Sequence, residues 1–318
     1  MMSNPKISIV IPVFNGIATI ENCIKGIQKQ TVYNQCEIIV IDSGSTDGTL
    51  NVLKSLNIDV ISIASETFNH GATRNLGVTY AKGEFVVMTV QDAVAADELW
   101  LENMLKHFDV SEIAAVCGKQ AVPHQKDKNP HEWARPQSVP VPRTVSVASE
   151  TNFNELSPEE QRKLCAWDDV NAMYRKSALQ NLPFQPLAYG EDMLWAKMAL
   201  IEGYSLVYEP NAIVYHYHYQ FPKYTYKRSL INQLFIYKCF GLVLQPSSSL
   251  RDYALIVYRN LKWNVHPKWI LHNFHIKYYN NKASNTFNSY LKNNEIEKLE
   301  KELSLDVPLG KQNIKIKK

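Results

Sequence analysis

Phe85–Ala95, FVVMTVQDAVA, is the stretch on which the fold turns. Its first half is apolar and rich in β-branched residues, the pattern of a strand buried on both faces. It runs out into one carboxylate, Asp92, followed by small residues, with no adjacent Lys or Arg. Open α/β sheets bind ligands beyond the carboxyl ends of their strands. A lone Asp there is placed to hold a hard cation, which can neutralise phosphate oxygens. The following AADELWLENMLKHF reads as a helix, and Asp is a common helix cap. On this stretch alone, cap and cation ligand both stay open.

Working back to the N-terminus, Lys6–Val13 reads as a first strand. Asn15 and Gly16 then make a turn, and Ala18–Gln30 has helical periodicity. Glu37–Ile41 is a second buried strand, ending in the turn formers DSGSTDGT. Thr49–Leu56 reads as a helix, Asp59–Ile63 as a third strand, and Arg74–Ala81 as a helix leading to Phe85. The alternation βαβαβ predicts a mainly parallel, doubly wound sheet flanked by helices. The loops at Phe14, Asp42 and Asp92 then follow strand ends. Asp42 could accept hydrogen bonds from a base or ribose, and Asp47 could cap the next helix. DSGSTDGT is not a GxGxxG fingerprint, and no phosphate loop of G-K-[ST] type occurs, which disfavours a dinucleotide dehydrogenase or an NTPase.

Composition sets bounds on the rest. The chain has 318 residues, 45% of them hydrophobic, so one large domain or a domain with an appendage is available. A net charge of +3 is too small to argue for nucleic acid. Five scattered cysteines show no paired metal spacing, which suits a reducing compartment. Ile7–Val13 is strand-length, contains Pro12 and is not expected to be a signal peptide. No uninterrupted apolar run approaches the roughly 20 residues of a membrane span. The expectation is a cytoplasmic protein, resting peripherally on the inner face of the cell membrane.

Beyond Asp92, residues 118–150 are Pro-rich and read as a long irregular loop containing His124, His131 and Trp133. WDDVNAMY (167–174) reads as a strand entered from a polar turn, and RKSALQNLPF as a short helix. In YGEDMLWAKMALIEGY, Glu191 and Asp192 open a helix, where carboxylates favour the positive dipole end. They serve there as caps or as a general base. SLVYEPNAIVYHYHYQ reads as two short strands, with His216 and His218 alternating on one face. After Phe221 the chain turns helical, with cations among large aromatics. That mixture suits a membrane interface or ordinary packing. NEIEKLEKELSLDV reads as a charged helix and KQNIKIKK as a basic tail.

Taken together, ISIVIPVFNG, VIDSGSTDGT, HGATRNLGVTYAKGEFVVMTVQDA, GEDMLWAKMALIEGY and VYEPNAIVYHYH resemble the family 2 glycosyltransferases of GT-A fold. Such enzymes move a sugar from a nucleotide diphosphate donor. Within the family, FNHGATRNLG, TVQDA and the VYHYH ending look most like bacterial rhamnosyltransferases of O-antigen and capsule synthesis. The resemblance implies a catalytic domain over residues 1–222 and a helical C-terminal appendage over 223–318, for acceptor, membrane or oligomer contacts. It implies a nucleotide-sugar site of Pro12, Phe14, Asn15, Asp42, Ser43, His70, Arg74 and Gln91, with Arg74 near the diphosphate. Asp92 and His216 would hold Mg²⁺ or Mn²⁺, and Asp192, with Glu191 beside it, would be the catalytic base.

Two positions depart from the family pattern. Val90 stands where the metal motif opens with Asp, and Ser43 where a second Asp is usual. Both remove negative charge, which keeps a catalytically silent nucleotide-sugar-binding protein as an alternative. Transfer of galactofuranose, glucose or an N-acetylhexosamine is another. The leading expectation is inverting transfer, with rhamnose from dTDP-rhamnose passing to a hydroxyl of a growing, lipid-linked surface polysaccharide.

Overall fold

Phe85–Thr89 is a strand buried at every position, and it lies in the middle of the sheet. The computed structural model describes residues 4–133, 141–187, 189–246 and 249–303. Its strands are β1 Ile7–Val13, β2 Cys36–Asp42, β3 Val60–Ser62, β4 Phe85–Thr89, β5 Val94–Ala95, β6 Ile113–Ala121, β7 Arg143–Val145, β8 Asn171–Arg175 and β9 Ser205–Tyr215. They form one sheet in the order β3-β2-β1-β4-β8-β6-β9-β5, with β7 also on β9.

The first four strands pair in parallel, as the βαβαβ alternation requires. The other half is mixed. β8 runs antiparallel to both β4 and β6, β6 and β9 are parallel, and β5 and β7 are antiparallel to β9. An antiparallel partner needs no helical crossover, so the segment between β6 and β8 can hold β7 and short helices such as Pro130–Trp133 and Glu150–Glu155.

The helix Ile20–Gln28 buries Ile20, Cys23, Ile24 and Ile27 at helical spacing. They join Ile7, Ile9 and Ile11 of β1 and Val87 of β4 in the core. The helix expected from Arg74 begins a turn earlier, at His70, because the Asn69 side chain accepts from the Ala72 N–H.

SLVYEPNAIVY is one strand, not two. Its register on β6 jumps from Cys117 opposite Tyr208 to Lys119 opposite Ile213, so Glu209–Ala212 bulge out. Buried Asn171 ties this place together. It accepts from Trp100 Nε1 at 2.7 Å and donates to the Lys119 and Ala212 carbonyls at 3.1 and 2.8 Å. A Cβ on Gly118 would come within 2.3 Å of the Ala212 oxygen, so only glycine allows that approach. β9 ends at Tyr215. His216 and His218, expected within a strand, both follow it.

The chain divides into two units: Met1–Ala121 with Ser138–Leu187 and Glu191–His216, and Val122–Gln137 with Ala188–Gly190 and Tyr217–Lys318. The second unit packs Leu230, Ile231 and Leu234 of helix Pro222–Phe240 with Ala283 and Phe287 of Lys268–Lys292 and with Leu299 and Leu303 of Ile296–Leu303. Gly241, at φ 68°, ends the first of these helices. Part of the Pro-rich loop belongs to this unit because buried Asn129 and Asn273 exchange amide hydrogen bonds of 2.9 and 2.8 Å. Residues 134–140 and the basic tail KQNIKIKK lie outside the described residues. Among the described residues, no helix is long and apolar enough to cross a membrane.

Candidate active site

The loops after β1 and β2 are stitched to each other and to the turn after β4. The Phe14 N–H donates to Gln91 Oε1 at 2.8 Å, and Gln91 Nε2 donates to the Phe14 carbonyl at 3.1 Å. A Cβ on Gly16 would strike Gln91 Oε1 at 2.6 Å. Asn15, at φ 48°, donates its N–H to Ser45 Oγ and accepts from the Thr46 N–H, both at 2.8 Å. Asp42 accepts from the Gly44 and Ser45 N–H groups at 2.9 and 3.0 Å, the turn that Asp residues favour. Asp47 accepts from the Thr49 N–H at 3.0 Å, in the first turn of Thr49–Ser55.

Ser43 is fully buried, and its N–H and hydroxyl both reach the Val13 carbonyl. Gln91 and Ser43, both expected at the nucleotide, thus brace the backbone that carries Pro12, Phe14 and Asn15. His70 packs edge-on against Phe68. Burial, then the charge of Arg74, pushes its pKa down to about 3, so it offers a neutral imidazole.

Asp92 is not a helix cap, because the next helix starts at Trp100 with Leu99 at its cap. Asp92 Oδ1 instead lies 3.5 Å from His216 Nε2. The other ring nitrogen, Nδ1, lies 2.8 Å from Gln120 Oε1. An amide oxygen only accepts, so the network assigns the proton to Nδ1 and turns Nε2 toward Asp92. A neutral imidazole would then aim its lone pair at a carboxylate oxygen. A proton or a cation between them removes that conflict. A hard oxygen with an imidazole nitrogen suits Mn²⁺ and is compatible with Mg²⁺, so these residues fit a divalent ion. Val90, where the opening Asp would stand, packs against the core and contributes no ligand.

A dense carboxylate cluster lies in the same unit. The helix Glu191–Ile201 starts with Glu191 and Asp192. Glu191 is buried and held in a short ion pair by Arg74, itself buried. Arg74 Nε also lies 3.1 Å from Asp169 Oδ2, though misaligned for a hydrogen bond. Tyr174 donates to Asp169 Oδ1 and accepts from Trp167 Nε1 at 2.7 Å. Arg74, expected at a diphosphate, is therefore committed to two carboxylates, and Glu191, expected beside the base, is ion-paired.

Asp192 accepts from the Met193 N–H at 2.7 Å and, weakly, from the Asp169 N–H at 3.4 Å. The residue keeps partial solvent contact, yet its carboxyl is densely surrounded by protein. Burial, then the charge of Glu191, pushes its pKa up to about 6. Burial, then Asp192, pushes Asp168 up to about 6. The two share protons as a pair. Asp168 accepts from the Gln120 amide nitrogen and from the Val170 N–H.

Asp168, Asp169, Tyr174 and Gln120 were not expected here from the sequence. The paired acids of WDD were the available signal, and they read there as a polar turn. Gln120, a neutral amide in a strand, carries no signal of its own.

With this geometry in hand, residues 8–182 match the model of Glycosyl transferase family 2. The chain belongs to that family. This family 2 chain is 34% identical over 229 residues to the O-antigen chain rhamnosyltransferase RfbN of Salmonella typhimurium, covering 70% of each chain. It is 32% identical over 231 residues to the O-antigen chain rhamnosyltransferase WbaN of Salmonella anatum, again covering 70% of each. Its fold matches Staphylococcus aureus TarS 1-349 in complex with UDP-GlcNAc at TM-score 0.52 and 17% identity, over 92% of this chain and 89% of that one. It also matches the mannosyltransferase PcManGT of Pyrobaculum calidifontis, in complex with GDP-Man and Mn²⁺, at TM-score 0.54 and 15% identity, over 99% and 89%. The fold is that of the GT-A glycosyltransferases, and the protein is a glycosyltransferase.

Proposed function

We propose that this enzyme transfers rhamnose from dTDP-rhamnose, with inversion, to a hydroxyl of a growing lipid-linked surface polysaccharide, using Asp192 as the base. One observation carries the choice of base. Of the four clustered carboxylates, Glu191 and Asp169 are paired with Arg74 and Asp168 is bound by Gln120, whereas Asp192, among the described residues, accepts only from backbone N–H groups. An acceptor hydroxyl is a poor nucleophile and needs such a group to take its proton. A raised pKa makes Asp192 a stronger base while it remains mostly ionised at neutral pH. One base opposite the leaving group gives single displacement and inversion. The rhamnosyltransferase relatives support the donor.

Asp92 and His216 would hold Mn²⁺ or Mg²⁺, which when bound supplies charge neutralisation for the departing diphosphate. Pro12, Phe14, Asn15 and Asp42 line the nucleotide side. Arg74 holds Glu191 and Asp169 in position, so that Asp192 stays in place. Asp192→Asn retains the shape and loses the proton acceptor. Turnover is expected to fall by about 10²–10⁴ with donor binding intact. Near-normal turnover would move the role to Asp168.

The second unit supports a peripheral membrane position for the same enzyme. Helix Leu250–Lys262 exposes Leu250 (87%), Leu255, Tyr258 and Leu261 (72%), with Arg251 and Lys262 also exposed. Helix Lys268–Lys292 exposes Lys268, Leu271 and Tyr278. Apolar side chains flanked by cations suit an anionic headgroup layer. Flotation with anionic liposomes is expected for the full chain at low salt and reduced for Leu255→Glu/Leu261→Glu. Equal behaviour of the two proteins would remove this assignment.

A further inference from the structure

The contacts of Gln120 join the two halves of the site. Gln120 lies on β6 opposite Val214, and the next pair in that register is Ala121 with Tyr215. The ladder continues one step further, with the His216 N–H donating to the Ala121 carbonyl at 3.0 Å. The β6–β9 pairing therefore fixes where the His216 backbone sits relative to Gln120. The side chain of Gln120 then makes two bonds of opposite sense. Its amide nitrogen donates to Asp168 Oδ2, and its amide oxygen lies 2.8 Å from His216 Nδ1.

A glutamine alone can turn over by 180°, exchanging its oxygen and nitrogen. Asp168 removes that freedom, because an ionised carboxylate accepts and does not donate. With the nitrogen drawn to Asp168, the oxygen must face His216, and Nδ1 must carry the proton. Nε2 is then the ring nitrogen turned toward Asp92, at 3.5 Å. Asp168 is itself anchored by the Val170 N–H at 2.9 Å, next to Asp169, whose N–H reaches Asp192. A single polar relay, Asp168–Gln120–His216, runs from beside the base to the cation pair.

We propose that Gln120 is a positioning residue that sets the tautomer and orientation of His216, so that Nε2 is presented as a ligand for a divalent cation with Asp92. The proposal rests on the cation assignment above for its ligand and on the hydrogen-bond network alone for the tautomer. Groups that orient a metal-bound imidazole typically matter by 10–100-fold in metal affinity. The absence of an opening Asp at Val90 leaves fewer protein ligands, so the orientation of His216 should count for more here.

Gln120→Met keeps the length of the side chain and removes both polar contacts. Two readouts follow, with folding checked by circular dichroism. In ¹⁵N-histidine-labelled enzyme without metal, the His216 signals are assigned by difference from His216→Ala. They should show a protonated Nδ1 and a bare Nε2 in the parent at alkaline pH, and a loss of that single tautomer in Gln120→Met. By calorimetry, Mn²⁺ affinity should fall by about 10–100-fold in Gln120→Met, and Gln120→Met should cost nothing further in a His216→Ala background. Gln120→Asn serves as the folding-tolerant alternative, being polar but one methylene too short to span both partners, and the same losses are expected. An unchanged tautomer and unchanged Mn²⁺ affinity in a folded Gln120 variant would overturn the proposal. A parent that ignores Mn²⁺, with a tautomer that still depends on Gln120, would sink the cation assignment and leave Gln120 as the residue orienting His216.

Discussion

The loop after β2 and the cluster around helix Glu191–Ile201 both gather acids near sheet ends, and they handle the charge in opposite ways. Asp42 and Asp47 are met by backbone N–H groups of their own or adjacent loops. Their charge is dispersed over the local main chain, and the result is a rigid loop. Asp168, Asp169, Glu191 and Asp192 share one guanidinium, Arg74. Their charge is under-compensated: Asp168 and Asp192 are pushed up to about 6, and burial pushes Asp169 well above the usual carboxylate range. Acids met by loop N–H groups make scaffold, whereas acids buried and crowded together hold a proton more tightly, which a base requires.

The strongest way to break this contrast is to remove the cation. Arg74→Gln leaves Glu191 and Asp169 buried without their counter-charge, and breaking such a pair costs about 3–5 kcal/mol. Urea denaturation at pH 7.5 measures it. A loss below about 1 kcal/mol would mean that water already neutralises the cluster.

At the other end of the relay, Asp92→Ala and His216→Ala should each weaken Mn²⁺ binding by at least about tenfold, as the loss of a ligand should not be milder than the loss of its supporting group. The double variant should add little, since both act on one ion. Fully additive losses would separate the two residues.

Stability should also follow pH in the cluster's sense. Asp168 and Asp192 have folded pKa values of about 6, above the ordinary carboxylate value of 3.8. Between about 4 and 6 the folded state holds more protons than the unfolded one, so this pair's contribution is full below about 4 and is lost as pH rises through 6. Asp168→Asn should flatten that slope in denaturation midpoints taken across pH 4–7. A slope of opposite sign from this pair would contradict the crowding.

The smallest effect belongs to the loop. Asp42→Asn keeps an oxygen for the Gly44 and Ser45 N–H groups and should cost about 1 kcal/mol. A loss as large as that of Arg74→Gln would erase the contrast.

Legibility in the sequence tracks the same division. The parallel half could be read because β1, β2 and β4 are continuous apolar runs ending in turn formers. Asp92 could be read just past a strand and Asp192 at the start of a helix. The mixed half was harder. Pro210 and Asn211 resemble a turn, yet Asn171 and Gly118 absorb them as a bulge inside one strand. The links Arg74–Glu191, Gln120–Asp168 and His216–Gln120 join residues 117, 48 and 96 positions apart, and no local periodicity encodes them. The family resemblance implies Ser43 and Gln91 at the nucleotide. Their bonds to Val13 and Phe14 become visible only when the strands are side by side.

Asp192 is proposed as the base because it is buried among carboxylates and, among the described residues, accepts only from backbone N–H groups. The pH dependence of kcat/KM for sugar transfer reports ionisations of the free enzyme and tests that claim most directly. An acid limb is expected with its midpoint near pH 6, below which transfer falls as the Asp192–Asp168 pair takes up a proton. His70, held near 3, cannot supply that limb. A profile flat from pH 5 to pH 8, with chemistry shown to be rate-limiting, would contradict it.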